Sequence, residues 1–156
     1  MGEILEEYRN QLIARYRAQP QDLRRAMARF TGEDLHRPLE PGGWSAHQVA
    51  VHVRDAEARA FAPRVVRIVE EDDPELPSFD GEGWMAEHYD RGESLDAILS
   101  EIERVRGEAL SRIETLPAPG WGRTGRHPER GRRTVQWWVE YSVAHTQEHI
   151  EQIGRG

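Results

Sequence analysis

Apolar residues recur three and four positions apart over four long stretches, the spacing that lines one face of an α-helix. The first runs over 3–30 through Ile4, Leu5, Tyr8, Leu12, Ile13, Tyr16, Leu23, Ala26, Met27 and Phe30, and stops at Thr31-Gly32. Pro20 lacks an N–H and disfavours helix at Gln19, so a break or kink is expected there. After a loop over 31–44, Ser45 and Gln48 read as a capping box, with Trp44 placed to staple onto Val49. They open a second helix carrying Val49, Ala50, Val53, Ala56, Ala60 and Phe61, which Pro63 should kink before it ends near Glu70-Glu71. The third starts at Ser94 and carries Leu95, Ile98, Leu99, Ile102, Val105, Leu110, Ile113 and Leu116, stopped by Pro117. The fourth spans 134–153, with Thr134 as N-cap and neither Gly nor Pro inside.

Two long connections separate these helices. Residues 72–93 hold Pro74, Pro77, Gly81, Gly83 and Gly92, with Trp84, Met85 and Tyr89 forming one short amphipathic turn over an end of the core. Residues 117–133 are a loop with Arg123, Arg126, Arg130, Arg132 and Arg133. No stretch alternates convincingly in the manner of a strand, and no repeat is present. The pattern is all-α, a four-helix bundle with long loops between helices two and three and between three and four. The ~22-residue connection is long enough to run back along a helix of ~25 residues, about 37 Å, so helices two and three can be parallel. A length of 156 residues fits one domain, 1–156, able to bury most of its apolar surface.

Composition narrows the chemistry. Lys and Arg number 21 against 28 Asp and Glu, a net charge of −7, which disfavours nucleic acid as a partner. The absence of cysteine excludes disulfides, thiolate metal sites and cysteine nucleophiles, so any metal must be held by His, carboxylate or water. No run of 18 apolar residues provides a membrane span. The start, Met-Gly-Glu-Ile-Leu-Glu-Glu, is acidic and unlike a signal sequence, so a cytoplasmic protein is expected.

Seven histidines remain to be sorted. His36, His88 and His127 fall in loops. His47 lies roughly 140° around the helix from His52, so the two cannot face one interior site. His52 sits on the apolar face of the second helix. His145 and His149 are four apart on the fourth, one turn from each other, on a stripe that includes Trp138, Tyr141 and Gln152. If helices two and four are neighbours, three imidazoles converge in the bundle interior, and zinc-type sites commonly take three protein ligands and keep one position open. The plainer alternative is a set of hydrogen-bonded core histidines. His145-Thr-Gln-Glu-His149 is not H-E-x-x-H but matches H-x-x-E-H, which makes Glu148 a general-base candidate and otherwise a solvated helix residue. Asp55 and Tyr141 are candidates for holding a ligating imidazole by its second nitrogen, with an ion pair to Arg54 or Arg59 as the alternative for Asp55. The arginine loop offers a surface for an anionic substrate group, or is merely solvated. Trp121, Trp137 and Trp138 would wall such a site, unless Trp138 packs in the core. Histidine ligands suit zinc, nickel, copper or iron alike.

Gly43-Trp44-Ser45 opening a helix, His52 seven residues on, and His145-x-x-x-His149 followed by Gln152 together resemble the DinB/YfiT-like superfamily of metal enzymes. The resemblance spans nearly the whole chain, including the proline-bearing loop after the second helix. It implies an up-down-down-up bundle, a divalent ion on His52, His145 and His149, and a homodimer. Members include bacillithiol S-transferases and the mycothiol-dependent maleylpyruvate isomerase, so a small thiol is an expected cosubstrate. The leading expectation is a metal-dependent low-molecular-weight thiol S-transferase or hydrolase. It would act on a small molecule through one ion, zinc or nickel first and iron or manganese after them. The alternatives are a dimeric ligand- or partner-binding module with a structural or vestigial ion, and a metal-free helical scaffold.

Overall fold

A computed structural model describes residues 2–156. Helix α1, Gly2–Met27, runs unbroken through Pro20, contrary to the break expected there. The proline deprives the Tyr16 carbonyl, four residues back, of its helical donor. Arg106 Nη1 donates to that carbonyl at 2.7 Å and so closes the gap. A 3₁₀ turn, Gly32–His36, leads to α2, Ala46–Ala56. Ser45 and Gln48 make both halves of the capping box at its start. Trp44 packs on the apolar cluster that contains Val49.

Helix α2 does not simply kink at Pro63. It widens into a π turn, Glu57–Phe61, where the Ala62 N–H reaches back to the Glu57 carbonyl, and then continues as α3, Ala62–Glu70. Pro63 thereby falls in the first turn of α3, where its missing N–H matters least. Single-turn π bulges in α-helices often mark functional positions.

Helix α4, Gly81–His88, is the short element expected around Trp84 and Met85, capped by Asp80. Helix α5 is Leu95–Ile113, capped by the Ser94 hydroxyl. After a 3₁₀ turn at Ala118–Gly122, strands β1, Thr124–His127, and β2, Gly131–Thr134, pair antiparallel. This hairpin replaces the wholly irregular loop that the sequence implied. Its strands are four residues long, and three of the four residues of β2 are exposed, so no alternating apolar pattern announced it. Helix α6, Val135–Arg155, follows with Thr134 Oγ1 accepting from Trp137 N–H. No helix among the described residues is long and apolar enough to cross a membrane.

Side-chain pairs fix the helix directions. Arg9 meets Gln136, Gln19 meets Val143, and Arg29 meets Ile153, so α1 and α6 run the same way. Arg17 pairs with Glu114 and Arg24 with Asp96, so α5 opposes α1. Phe61 meets Tyr141 and His52 meets His149, so α2–α3 opposes α6. The order is up, down, down, up, and the connection carrying α4 spans the parallel pair. A buried polar knot crosses all four rods. Glu57 Oε1 accepts from Arg106 Nη2 at 2.6 Å and from Ser142 Oγ at 2.6 Å, while Arg106 also donates to Gln19 Oε1 and Thr146 Oγ1.

Candidate metal centre

The capping box fixes where α2 starts and therefore where His52 points, two turns in. The Thr134 cap does the same for α6 and the His145–His149 face. Because the two helices are antiparallel neighbours, the three rings meet. His52 and His145 bring their Nε2 atoms to 3.3 Å, and ring centroids lie 4.9 Å apart for His52–His149 and 4.6 Å for His145–His149. One ligand nitrogen from each of the three lies within 4.8 Å of the others. Trp44 packs on the His52 ring at 4.9 Å and Phe61, at the end of the π turn, on His145 at 5.1 Å. Gly81 closes the far side. A Cβ there would stand 3.2 Å from His52 Cε1, so only a bare backbone passes without pressing on the ring.

Protonation favours a cation. Burial, and then the neighbouring His149, push His52 down to about 4. Burial, and then His149 and His52, push His145 down to about 3. Both are therefore neutral near pH 7. His149 Nδ1 donates to Gln152 Oε1 at 2.7 Å, which puts the proton on Nδ1 and leaves the Nε2 lone pair free. Two neutral imidazoles facing at 3.3 Å repel unless a proton or a cation lies between their lone pairs. A tetrahedral ion with nitrogen ligands at about 2.0–2.1 Å holds them about 3.4 Å apart, so the trio fits one. His52 Nδ1 and His145 Nδ1 are buried and bonded to no protein group among the described residues.

A pocket of about 190 Å³ opens beside His52 and His145. Ala60, Phe61, Phe79 and Trp138 form its apolar wall, and Arg64, His127, Arg130 and Tyr141 its polar one.

The profile of the DinB superfamily matches residues 15–153, a span that contains all three histidines. The chain belongs to the DinB superfamily. A relative from Oceanobacillus iheyensis is 27% identical over 152 residues, 97% of this chain and 87% of the relative. Another from Geobacillus kaustophilus is 36% identical over 102 residues, 65% of this chain and 50% of the relative. Both carry the name "Putative metal-dependent hydrolase". In structure the chain is similar to YfiT from Bacillus subtilis, described as a probable metal-dependent hydrolase with an unusual four-helix bundle topology. The TM-score is 0.86 at 23% identity, covering 95% of this chain and 85% of YfiT. It is also similar to TT2238, a four-helix bundle protein, with a TM-score of 0.66 at 19% identity, covering 95% of this chain and 99% of TT2238.

The other sequence candidates in this DinB-superfamily chain part company. Tyr141 lines the pocket, and its hydroxyl accepts from Arg130 Nη2 at 2.9 Å rather than holding a histidine. Asp55 does not reach the trio. Its carboxylate accepts from Arg54 Nε at 2.8 Å and lines a different cavity, because it projects from α2 towards α5 and α4. Glu148 is exposed, belongs to no cluster with the histidines and does not line the pocket, so the H-x-x-E-H reading loses its base. His47 is a core histidine. Its Nε2 donates to the Glu93 carbonyl at 2.8 Å and its Nδ1 accepts from the Tyr89 hydroxyl at 2.6 Å.

The arginine loop is mostly structural. Arg123 donates to the Ile68 and Glu71 carbonyls, Arg126 and Arg132 pair with Asp73, and Arg133 lies over Trp137. Arg130 alone of the five lines the pocket. Of the three tryptophans, Trp138 lines it while also packing in the core. Two polar lining residues were not picked out as candidates: His127, set aside as a loop residue but placed on β1, and Arg64. His127 is buried on β1 and fixed by two backbone donors, Glu129 and Arg130, both 3.1 Å from its Nδ1. Arg64 is a charged residue inside the apolar stripe Phe61, Val65, Ile68, and that interruption was the available signal.

Proposed function

We propose that the chain is a metal-dependent enzyme whose ion is held by His52, His145 and His149, and that it hydrolyses a small substrate or transfers a low-molecular-weight thiol to one. The observation that carries this reading is the 3.3 Å approach of two imidazole Nε2 atoms at the wall of a pocket, with the third histidine alongside. A divalent ion bound there would supply Lewis-acid activation, lowering the pKa of a water or thiol in its open position.

The protein's own residues account for the rest. Burial keeps His52 and His145 unprotonated, so they are ready to ligate. Gln152 orients His149. Phe61, Phe79 and Trp138 exclude water from one side of the pocket. His127, whose Nδ1 is occupied by two backbone donors, carries its proton on Nε2 and is a fixed hydrogen-bond donor. The pocket also distinguishes this reading from a structural ion, which would be sealed by protein on all sides. The names of the relatives favour hydrolysis.

The test uses metal-loaded protein with model esters and amides, and with a small thiol plus a model electrophile. Turnover in one of the two assays, lost with chelator and in His145→Ala, is expected. No turnover in either assay, or turnover indifferent to chelator, would overturn the proposal.

A further inference from the structure

Two arginines in this protein have their side chains in the interior, and they are treated in opposite ways. Arg106 is ion-paired to Glu57 at 2.6 Å, and its two terminal nitrogens donate to four further acceptors, with only Nε left without a partner among the described residues. Arg64 is 8% exposed, yet no carboxylate among the described residues lies within ion-pair distance. Its one hydrogen bond among the described residues is from Nη2 to the Pro77 carbonyl at 3.2 Å. A guanidinium has five N–H donors, so most of its capacity is unspent. The cation lies 4.8 Å from the Trp138 ring centre, and both residues line the histidine pocket. The side chain is largely buried and has no ion-pair partner among the described residues, while its unpaired nitrogens are not sealed from solvent and the residue lines the pocket, an arrangement suited to a ligand.

A second cation stands beside it. Arg130 lines the same pocket, steadied by its 2.9 Å bond to the Tyr141 hydroxyl. Its charge is felt at Arg64, as is the opposing charge of Glu129, which also lines the pocket and whose carboxylate accepts from Ser78 Oγ at 2.6 Å. Burial lowers the pKa of Arg64 from the ordinary arginine value, but the group remains a cation near neutral pH.

We propose that Arg64 and Arg130 form an oxyanion subsite of the histidine pocket, and that the substrate is a small molecule bearing a carboxylate. The planar fork of a guanidinium matches a carboxylate with two parallel hydrogen bonds. The pocket volume of about 190 Å³ is below the roughly 300–1,000 Å³ that takes drug-sized ligands, so the part of the substrate held here is small. Phe61, Phe79 and Trp138 would pack its carbon skeleton while the carboxylate fixes which bond faces the histidines. This deepens the function proposed above, since it takes the same pocket to be the substrate site.

The experiment measures binding of acetate, propionate and benzoate, each against its neutral amide, by calorimetry and by shifts of the arginine Nε–H resonances. It is run on the metal-loaded and the chelator-treated protein. At least one carboxylate should bind more tightly than its amide in both forms. The preference should fall roughly 10- to 100-fold in Arg64→Gln, the loss of a charge-assisted hydrogen bond. It should also weaken in Arg130→Gln, an exposed change that does not threaten folding. Arg64→Lys keeps the charge but not the fork and should recover only part of the loss. Inorganic phosphate in place of carboxylate separates a general anion site from a carboxylate site, and tighter phosphate binding would overturn the assignment. So would equal binding of acids and amides, or a preference unchanged in both arginine variants. Carboxylate binding that persists in a protein unable to take up metal would refute the function proposed above while sustaining this one. Metal uptake without carboxylate preference would do the reverse.

Discussion

Gln152 decides which nitrogen of His149 is available. Its Oε1 accepts the Nδ1 proton at 2.7 Å, and outer partners of this kind typically account for about 10–100-fold in metal affinity. Gln152→Leu should therefore weaken metal binding by about that factor in a competition titration against a chromogenic chelator. Unchanged affinity would mean that the ring is held by packing alone. Gly81 acts by absence. In Gly81→Ala the new methyl would stand 3.2 Å from His52 Cε1, so metal affinity should fall while the melting temperature of the chelated protein does not. A parallel loss of both would point to a disturbed α4 instead. The histidine trio was legible because imidazoles four apart on one helix must share a face. Arg64 and His127 were not, since their role depends on which segments the fold brings opposite each other.

At the scale of elements, α1 and the second rod show how a local rule is overridden. Pro20 forbids one helical hydrogen bond, and a donor from α5 replaces it, so the predicted break does not form. Nothing in the local sequence around Pro20 could reveal a donor 86 positions away at Arg106. Arg106 also neutralises Glu57, the first residue of the π turn that delivers Phe61 to the pocket. Both side chains of that pair are at most 2% exposed. Arg106→Met would strand the carboxylate and leave the Tyr16 carbonyl without a donor, and should cost about 3–5 kcal/mol in urea denaturation. The double change Glu57→Leu with Arg106→Met should cost less than the single one. A single-variant loss under about 1 kcal/mol would show the knot to be dispensable. The hairpin was invisible for a related reason. Its pairing is set by backbone bonds and by the Arg126 and Arg132 contacts with Asp73, not by an apolar face.

For the molecule as a whole, the site and the fold are linked through protons. His52 titrates at about 4 and His145 at about 3 in the folded state, against 6.5 for the free side chain. The unfolded chain therefore takes up protons first on acidification, and stability falls as pH drops below about 6.5. Above that value the two groups contribute no slope. Thermal melts of the chelated protein between pH 7.5 and 5 should show this decline before carboxylates protonate. His36 and His127 are also lowered by burial and add to it, so the test is the difference from His52→Gln/His145→Gln, which should be flatter. An equal slope in that variant would place the proton linkage elsewhere. The four-helix architecture was legible throughout, because each rod carries a long apolar stripe, broken only by single charged residues such as Arg64. What brings the three histidines together is a narrower matter, the meeting of α2 with α6. The measurement that bears on it most directly is metal content in untagged protein titrated with zinc. One ion per chain is predicted for the wild type, with loss of that ion in His52→Ala, His145→Ala and His149→Ala. A wild type that takes up no ion, or a full equivalent retained in all three variants, would contradict the account.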